Sequence, residues 1–460
     1  MNLGMLRLFK LFLLLLLSQN IYADSHDFDF DFIKKGKEDN NTLLIIGGIQ
    51  GDEPGGFMAA SLITTHYKIK KGSVWVVPNL NFYSIIKRDR GPFGDMNRKF
   101  AKISSTDPDY DSIQRIKEYI TSDEVKLVLN LHDGSGFYRK KHIDRLHSPL
   151  RWGQSAIVDQ ESIDTEHYGN LSEIANEVVT SINSSLITSK HKYRVKNTHT
   201  RLGDKEMEKT LTYFSINNKK AAFANEASKS LPLHERTYYH LLAIEKYMDI
   251  MGIEYERYFP LEPMAVRDVI DNDIYISFYD EKIQLPLSEI RSHLGYFPIK
   301  KDGSLEFSPS NPLLTVIKRG DGYAIHYGNR RLAVLSPDYL EHESIDKNID
   351  VTIDGKEFTV PLGSIINVDK NFKIKPIKDL RVNVIGFVHK KNDEAGVTVN
   401  KNRLLKRFSI DKSGKIFRVE FYKKDKFAGM VLVNFDKNPN TTARVSYFNN
   451  KNYKSSTNSL

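Results

Sequence analysis

The hydrophobic pattern of the first half of the chain is that of short buried strands alternating with helices. Strands are predicted by short apolar runs at residues 43–46, 74–80, 125–131 and 221–228. Helices are predicted by apolar residues at helical spacing in residues 55–67, 109–121, 170–185 and 233–251. This alternation predicts an α/β domain over residues 24–255, with a mixed, mostly parallel sheet flanked by helices.

The pattern changes at residues 259–264, whose sequence FPLEPM is typical of a proline-bearing linker. Beyond it helix signals nearly vanish, and strand-like segments are separated by Asp-Gly, Lys-Asn-Asp and Ser-Gly turns. A second break near 341–347 predicts two smaller all-β domains. We expect them at 265–345 and 346–448, the last an immunoglobulin-like β-sandwich, with a frayed tail at 449–460.

The N-terminus has the pattern of a secretory signal peptide. Two basic residues, Arg7 and Lys10, precede an apolar run from Leu11 to Leu17 and a cleavage position after Ala23. The run is too short to span a bilayer, and no later stretch approaches about 18 apolar residues. We therefore expect an exported, periplasmic protein with no transmembrane segment once residues 1–23 are removed. A retained N-terminal anchor is the alternative.

Composition narrows the chemistry. The chain has no cysteine, which excludes disulfides, thiolate metal sites and a cysteine nucleophile. Removing Arg7 and Lys10 with the signal lowers the formal charge from +9 to +7, and residues 346–460 hold 23 basic against 12 acidic residues. Such a basic domain is attracted to an anionic polymer or membrane surface, or is merely solvated. No nucleic-acid partner is expected.

Four polar side chains follow or end the predicted strands. Gln50 and Glu53 follow the first strand, His132 ends a later one, and Glu226 ends the strand at 221–228. The carboxyl ends of parallel strands share one edge of a sheet, where open α/β folds place their ligands. A hydrolytic zinc needs about three protein ligands and a further carboxylate as base. Gln50, Glu53 and His132 can supply the ligands, and Glu226 the base.

Each of these residues also has an ordinary interpretation. Gln50 can be a turn residue, His132 a strand cap, and Glu226 the partner of a lysine. An amide oxygen is neutral like imidazole but lacks its softer nitrogen, so a glutamine ligand is expected to weaken metal affinity. The coincidence of all four at strand ends in one domain favours the metal site.

Residues 85–100, IIKRDRGPFGDMNRKF, carry a dense set of hydrogen-bond donors in Arg88, Arg90, Asn97 and Arg98. Guanidinium groups suit bidentate binding of a carboxylate. An exopeptidase needs such a group to recognise a free C-terminus. A basic surface loop is the alternative.

These motifs carry a resemblance to a known family. The order Gln-x-x-Glu, Asp-Met-Asn-Arg, a strand ending in His and a late strand ending in Glu resembles the carboxypeptidase-A-like zinc peptidases, with Gln for the usual His. The segments GGIQGDEPGG, HDGSGFY, TLTYFS and FANEASK resemble a narrower group. These are the periplasmic DL-carboxypeptidases that trim peptidoglycan tripeptide stems in helical and curved Gram-negative bacteria.

The resemblance implies a role for each matched residue. Zinc would be held by Gln50, Glu53 and His132, and Glu226 would be the general base. The substrate's terminal carboxylate would be bound by Arg90, Asn97 and Arg98, with Arg90 also assisting catalysis at the oxyanion. Substrate contacts are also expected from Thr212, Tyr213 and Trp152.

The reaction implied is removal of meso-diaminopimelate from a muramyl tripeptide, which leaves a dipeptide and affects cell shape. Peptidoglycan muropeptides would be the substrates, and other cell-shape proteins are candidate partners. Two alternatives stay open. One is a deacylase of the aspartoacylase or succinylglutamate-desuccinylase type, which shares the arrangement at Arg90, Asn97 and Arg98. The other is a catalytically decayed wall-binding scaffold.

Overall fold

The computed structural model describes residues 28–343, 345, 348–389 and 392–436 of the 460-residue chain. The predicted signal peptide, the end of the last predicted domain and the predicted tail lie outside these residues. The chain divides into two compact units, with the boundary between Tyr258 and Phe259. This boundary coincides with the start of the predicted linker. A further division near residue 345 stays a prediction.

The first unit contains most of the helices. Its helices are α1 (Pro54–His66), α2 (Phe82–Lys87), α3 (Tyr110–Thr121), α4 (Leu171–Ser184), α5 (Leu211–Asn217) and α6 (Leu233–Ile250). Its strands are β1 (Ile33–Gly36), β2 (Thr42–Ile46), β3 (Tyr67–Lys71), β4 (Ser73–Val77), β5 (Val125–Gly134), β6 (Phe137–Tyr138), β7 (His147–Ser148), β8 (Ser155–Val158), β9 (Arg194–Asn197), β10 (Ala221–Ser228) and β11 (Glu254–Arg257). The predicted mixed sheet with flanking helices is confirmed.

A seven-stranded sheet forms the centre of this unit, in the order β1-β4-β2-β5-β10-β8-β9. The four strands β4, β2, β5 and β10 run parallel to one another, whereas β1 is antiparallel to β4 and β8 is antiparallel to β10. The parallel strands therefore end at one common edge, as the sequence pattern predicts.

The parallel strands are buried on both faces. Every residue of β2 and β4 is buried, and so are nearly all residues of β5 and β10. This explains their continuous apolar sequence, since helices cover both faces of such a sheet. At the start of α1, Gly56 permits a close approach to β5, because a Cβ there would lie 2.7 Å from the carbonyl oxygen of Leu131.

The second unit contains one helix, α7 (Pro263–Asn272), among its described residues. This helix corrects the expectation that helices end with the first domain. Its strands are β12 (Tyr275–Phe278), β13 (Ile283–Pro286), β14 (His293–Lys300), β15 (Phe307–Pro309), β16 (Leu314–Arg319), β17 (Gly322–Tyr327), β18 (Arg330–Leu340), β19 (Ile349–Ile353), β20 (Lys356–Val360), β21 (Ile365–Asn367), β22 (Asn371–Ile374), β23 (Arg381–Val384), β24 (Val399–Asn400), β25 (Ile416–Lys423) and β26 (Lys426–Asn434).

These strands form four small sheets. The orders are β13-β12-β15, β14-β18-β17-β16, β20-β19-β22-β24 and β21-β26-β25-β23. The last two enclose a common apolar core that includes Val351, Phe372, Val419 and Val433. The prediction of smaller all-β structure after the first domain is thus confirmed. No helix within the described residues is long and apolar enough to cross a membrane.

Candidate metal centre and active site

The candidate site lies where the parallel strands end. Strand β2 leads through a turn that contains Gly48, at a φ of 75°, to Gln50 and then to Glu53 at the start of α1. Strands β5 and β10 carry His132 and Glu226 close to their ends. The structure therefore brings together all four side chains that the sequence places at strand ends.

Three of these side chains converge on one point. The His132 Nδ1 atom lies 2.9 Å from Glu53 Oε2 and 3.1 Å from Gln50 Oε1. Gln50, Glu53 and His132 are 1%, 4% and 5% exposed. Burial alone would lower the pKa of His132, but the hydrogen bond and charge of Glu53 and the charge of Glu226 outweigh it and raise this pKa. The carboxylates around His132 therefore favour a positive charge at this position.

The two distances from His132 Nδ1 are close to those between ligands of one metal ion. Around a tetrahedral zinc with bonds of about 2.1 Å, ligand atoms lie roughly 3.4 Å apart, so these separations would have to widen by only about 0.3 to 0.5 Å. Within the described residues no group of three or more His, Cys, Asp and Glu side chains could hold a metal ion. The amide of Gln50 is therefore needed to complete a set of three donors.

The other nitrogen of His132 faces an amide. Its Nε2 atom lies 2.8 Å from Asn130 Nδ2 and 3.4 Å from Asn97 Nδ2, while Asn130 Oδ1 is buried without a hydrogen-bond partner among the described residues. A metal on Nδ1 requires the proton on Nε2, and that proton needs an acceptor. With its amide turned over, Asn130 presents Oδ1 as this acceptor.

Glu226 lies beside the three donors. It lines the same cavity, and its Oε2 atom is buried with no hydrogen-bond partner in the described part of the chain. Burial, together with the neighbouring carboxylates of Glu53 and Asp133, raises the pKa of Glu226 to about 7, against the opposing charge of His132. A carboxyl group with this pKa can both take and give a proton at neutral pH.

Asp95 connects the donors to a guanidinium group. Its Oδ1 atom accepts a hydrogen bond of 2.7 Å from Gln50 Nε2, and its Oδ2 atom accepts one of 3.0 Å from Arg90 Nε. Arg90 Nη1 donates in turn to Glu53 Oε1 at 3.2 Å. Asp95 therefore points the amide oxygen of Gln50 towards His132. Burial would raise the pKa of Asp95, but Gln50 and Arg90 hold it below its usual value.

A cavity of about 290 Å³ joins these groups to the rest of the predicted site, and its walls include Arg90, Asn97, Arg98, Trp152 and Thr212. Asn97 is fixed by its Oδ1 atom, which accepts from the backbone N–H of Leu211 at 3.0 Å. Arg98 Nη1 donates to the Asn97 carbonyl. The three predicted carboxylate-binding residues therefore share one cavity with the metal donors.

Two predicted residues are placed differently. Tyr213 and Arg88 are not among the residues that line this cavity. Tyr213 lies in the first turn of α5, where its backbone N–H donates to Thr210 Oγ1, and Arg88 ends α2 in a left-handed conformation. A role for Tyr213 in substrate binding stays a prediction.

Trp152 is held in the cavity wall by a lysine. Lys196 Nζ lies 3.7 Å from the centre of the Trp152 ring and 4.9 Å from that of Tyr138. The same ammonium group donates to the carbonyl oxygens of Pro149 and Arg151. Burial lowers the pKa of Lys196 to about 8. Lys196 therefore ties the Trp152 ring to the backbone of its own loop.

The sequence interpretation gave no role to Lys229, which also lines the cavity. Lys229 Nζ lies 2.6 Å from Asp52 Oδ2 and 3.3 Å from Glu53 Oε1. The sequence feature that points to Lys229 is its position three residues after Glu226 in FANEASK. Burial would lower the pKa of Lys229, but the adjacent carboxylates raise it, so this cation offsets negative charge beside Glu53.

A buried polar network lies behind the donors. Asp133 accepts hydrogen bonds from the Gly55 backbone N–H, Arg236 Nη1 and His240 Nε2, and its own N–H donates to Glu53 Oε2 at 3.1 Å. It thereby joins the start of α1 to the end of β5. Such outer partners orient ligand side chains.

Two family models match the chain. The model for the catalytic region of a carboxypeptidase controlling helical cell shape matches residues 17–271, and the model for the C-terminal domain of a metallo-carboxypeptidase matches residues 342–436. No curated protein matches the sequence.

Solved structures of the cell shape determinant Csd4 from Helicobacter pylori are similar to the chain. The apo and tripeptide-bound forms each have 40% sequence identity, cover 89% of this chain and 100% of their own, and superpose with a TM-score of 0.80. The mDAP-bound form of Csd4, described as a D,L-carboxypeptidase, has 40% identity, 88% and 100% coverage and a TM-score of 0.80.

Proposed function

The chain belongs to the family of metallocarboxypeptidases that control helical cell shape, and on that premise we propose the following function. It is a zinc-dependent DL-carboxypeptidase of the periplasm that trims peptidoglycan tripeptide stems. It removes the terminal meso-diaminopimelate and leaves a dipeptide. The relatives support this substrate, because Csd4 has been solved with a tripeptide, with product and with mDAP.

One observation carries the proposal. The oxygen donors of Gln50 and Glu53 meet His132 Nδ1 within 3.1 Å, and Glu226 lies beside them in the same cavity without a hydrogen-bond partner for Oε2. Three neutral or anionic donors plus one further carboxylate form the minimum set for metal-assisted hydrolysis of an amide.

Gln50, Glu53 and His132 are the residues that would hold zinc. When bound, zinc supplies Lewis acidity for the scissile carbonyl and acidifies water. Glu53 contributes the single negative charge among the ligands. His132 contributes Nδ1, with its orientation fixed by the contact of Nε2 with Asn130.

Arg90, Asn97 and Arg98 bind the terminal carboxylate of the substrate in this proposal. Their cavity also contains the proposed metal ligands and Glu226. A substrate whose terminal carboxylate is bound by Arg90, Asn97 and Arg98 would therefore have its scissile amide bond in the same cavity as Glu226. Arg90 already contacts Glu53 Oε1, which positions it to stabilise negative charge on the carbonyl oxygen during the reaction. Substrates without a free C-terminus lose these contacts.

Glu226 moves the proton. As the anion it takes a proton from the attacking water, and as the acid it returns this proton to the departing amine; burial and the neighbouring carboxylates, which raise its pKa, favour the acid form. Among the described residues Glu226 Oε2 has no hydrogen-bond partner, so this oxygen is free to accept the proton. Thr212 and Trp152 complete the walls that receive the leaving residue, and their role as substrate contacts is part of the proposal.

Export accompanies this activity because the substrate lies in the cell wall. The signal-like pattern of residues 1–23 supports a periplasmic location. Trimming changes the stems available for other wall enzymes, and this links the reaction to cell shape.

The test is hydrolysis of a defined substrate. Purified, zinc-loaded protein is incubated with muramyl tripeptide, and mass spectrometry identifies the products. We expect meso-diaminopimelate and muramyl dipeptide, and no products from the Glu226→Gln variant. An N-acyl amino acid is tested in parallel: its hydrolysis in place of the tripeptide would instead establish a deacylase, and hydrolysis of neither by zinc-loaded protein would indicate a scaffold.

A further inference from the structure

A strongly basic surface lies in the second unit, away from any role in the chemistry above. Residues 401–407 include four basic residues, Lys401, Arg403, Lys406 and Arg407, and no acidic one. Arg291 joins them, because its Nη2 atom donates to the carbonyl oxygen of Lys406 at 3.0 Å. These five residues are called the basic patch below.

Four of the five residues of the basic patch lie on one loop, which a second loop supports. Residues 401–408 follow β24, and residues 385–389 follow β23. The loops are joined by a hydrogen bond of 2.9 Å from the Leu405 N–H to the Gly386 carbonyl oxygen, and Phe387 and Leu404 form an isolated β-bridge. The cations are therefore held on a folded surface rather than on a free tail.

Among the described residues, the cations of the basic patch have no acidic partner. None of the five forms an ion pair there, whereas several lysines elsewhere in residues 349–436 do. The paired lysines include Lys375 with Glu357, Lys415 with Asp436, and Lys423 with Glu343. The acid nearest in sequence to residues 401–407, Asp411, is 3% exposed and accepts from the backbone N–H groups of Lys415 and Ile416. An exposed acid, Glu289, lies two residues before Arg291.

Several of these side chains are held in place without an anion. Arg291 Nε donates to Ser409 Oγ at 3.1 Å, and the Arg403 guanidinium lies 4.5 Å over the Phe387 ring. The Arg407 guanidinium lies 5.1 Å over the Phe408 ring. Pre-ordered guanidinium groups lose less side-chain entropy on binding and match carboxylates in a bidentate manner.

Apolar side chains are exposed among the cations. Val388, Leu405 and Phe408 are 73%, 40% and 38% exposed. The mixture suits a polymer that carries carboxylates and also presents apolar faces, rather than a purely ionic partner. Peptide stems of peptidoglycan carry free carboxylates, and sugar rings present apolar faces that pack on aromatic side chains.

We propose that the basic patch binds the carboxylates of peptidoglycan strands and so holds the enzyme on the polymer independently of the active-site cavity. This inference rests on the proposed function, since that function places the protein at the wall. It assigns four of the 23 basic residues in the last quarter of the chain to a defined surface.

The test compares binding to the polymer with turnover of a small substrate. The full chain is sedimented with purified sacculi at low and high salt, as wild type and as the Arg403→Glu, Lys406→Glu, Arg407→Glu triple variant. We expect at least tenfold weaker binding by the triple variant, a marked salt dependence for wild type, and kcat/KM on soluble muramyl tripeptide within twofold of wild type.

The matched control reverses three exposed lysines elsewhere in residues 349–436, Lys356, Lys378 and Lys424, and so changes the net charge equally. We expect it to bind sacculi like wild type. Equal loss in both triple variants would overturn a local site and indicate net charge alone. Unchanged binding by the patch variant would also overturn the proposal.

Two further experiments test whether the loss of binding follows the cations and whether the partner is a lipid surface. The neutral triple variant Arg403→Gln, Lys406→Gln, Arg407→Gln checks that the loss follows removal of the cations and not the introduced acids. Wild-type binding by this variant would overturn the proposal. Vesicles containing phosphatidylglycerol test a lipid surface: loss of vesicle binding with sacculus binding retained would assign the patch to membranes instead. Sacculus binding without hydrolysis of muramyl tripeptide would reject the proposed function while leaving the patch supported.

Discussion

Glu226 lies directly opposite His132 in the register of the parallel strands β10 and β5. Side chains at paired positions of adjacent strands point to the same face of a sheet. The proposed base is therefore fixed beside a proposed metal ligand by backbone hydrogen bonds, not by a loop. A shift of one residue would replace Glu226 by Asn225 or Ala227 and remove the carboxylate from the site.

The first prediction concerns this carboxylate. Glu226→Gln is expected to lower kcat by at least about 100-fold, because it removes the proton acceptor while keeping the shape of the side chain. Zinc content, measured by metal analysis, is expected to stay at the wild-type level. Near-normal turnover by this variant would exclude Glu226 from the mechanism.

The second prediction concerns the amide ligand. Gln50→His is expected to bind zinc at least as tightly as wild type, because imidazole nitrogen is a better zinc ligand than an amide oxygen. Asp95 remains available to accept a hydrogen bond from the new ring, as it does from Gln50 Nε2. A competitive zinc titration provides the measurement, and weaker binding would argue that Gln50 is not a ligand.

The third prediction concerns Asn130, which contacts His132 Nε2 at 2.8 Å. Asn130→Leu keeps the branching of the side chain but removes the acceptor that a metal-bound histidine needs, so zinc affinity is expected to fall by about 10- to 100-fold. Asn130→Asp retains an acceptor and is expected to lose much less. Zinc dissociation constants, supported by NMR of the histidine nitrogens to identify the protonated one, distinguish this role from a purely structural one. Equal affinities for both variants would contradict it.

The fourth prediction is a pH dependence at Lys196. Its pKa of about 8 means that the ammonium group is charged below that pH and loses its charge above it. The attraction to the Trp152 ring then weakens, and KM is expected to rise above pH 8. In Lys196→Arg the charge persists, so the ratio of wild-type KM to variant KM should increase from pH 7 to 9.5. Lys196→Met serves as the uncharged control, with a raised KM already at pH 7.

A constant ratio of wild-type KM to Lys196→Arg KM between pH 7 and 9.5 would exclude this role of Lys196.

The core of the fold was predictable because local patterns and tertiary burial agree there. The run at 221–228 is strand β10 as predicted, and the helix predicted at 109–121 is α3. Helix α7 was missed, although Val266, Val269 and Ile270 have helical spacing and are buried. Its start at Pro263 lies inside a segment that has the composition of a linker, and this composition masked the helix-start signal that a proline at the first helical position provides.

The site residues that lie at or just after the ends of strands were predictable from the sequence. Gln50, Glu53, His132 and Glu226 are brought together because parallel strands end at a common edge. Lys196 was not predictable, because its contact with Trp152 joins residues 44 positions apart on different strands and loops. Pairings of this kind depend on the register of the whole sheet, which no local pattern contains.

Asp95 has a consequence for how this site can change over generations. One carboxylate holds both Gln50 and Arg90, so a substitution at either position alters the surroundings of the other. Residues with a shared partner show non-additive effects. Metal affinity and substrate affinity are therefore expected to evolve together rather than one at a time. A substitution of Gln50 would be tolerated only in sequences in which Asp95 still holds Arg90 in place.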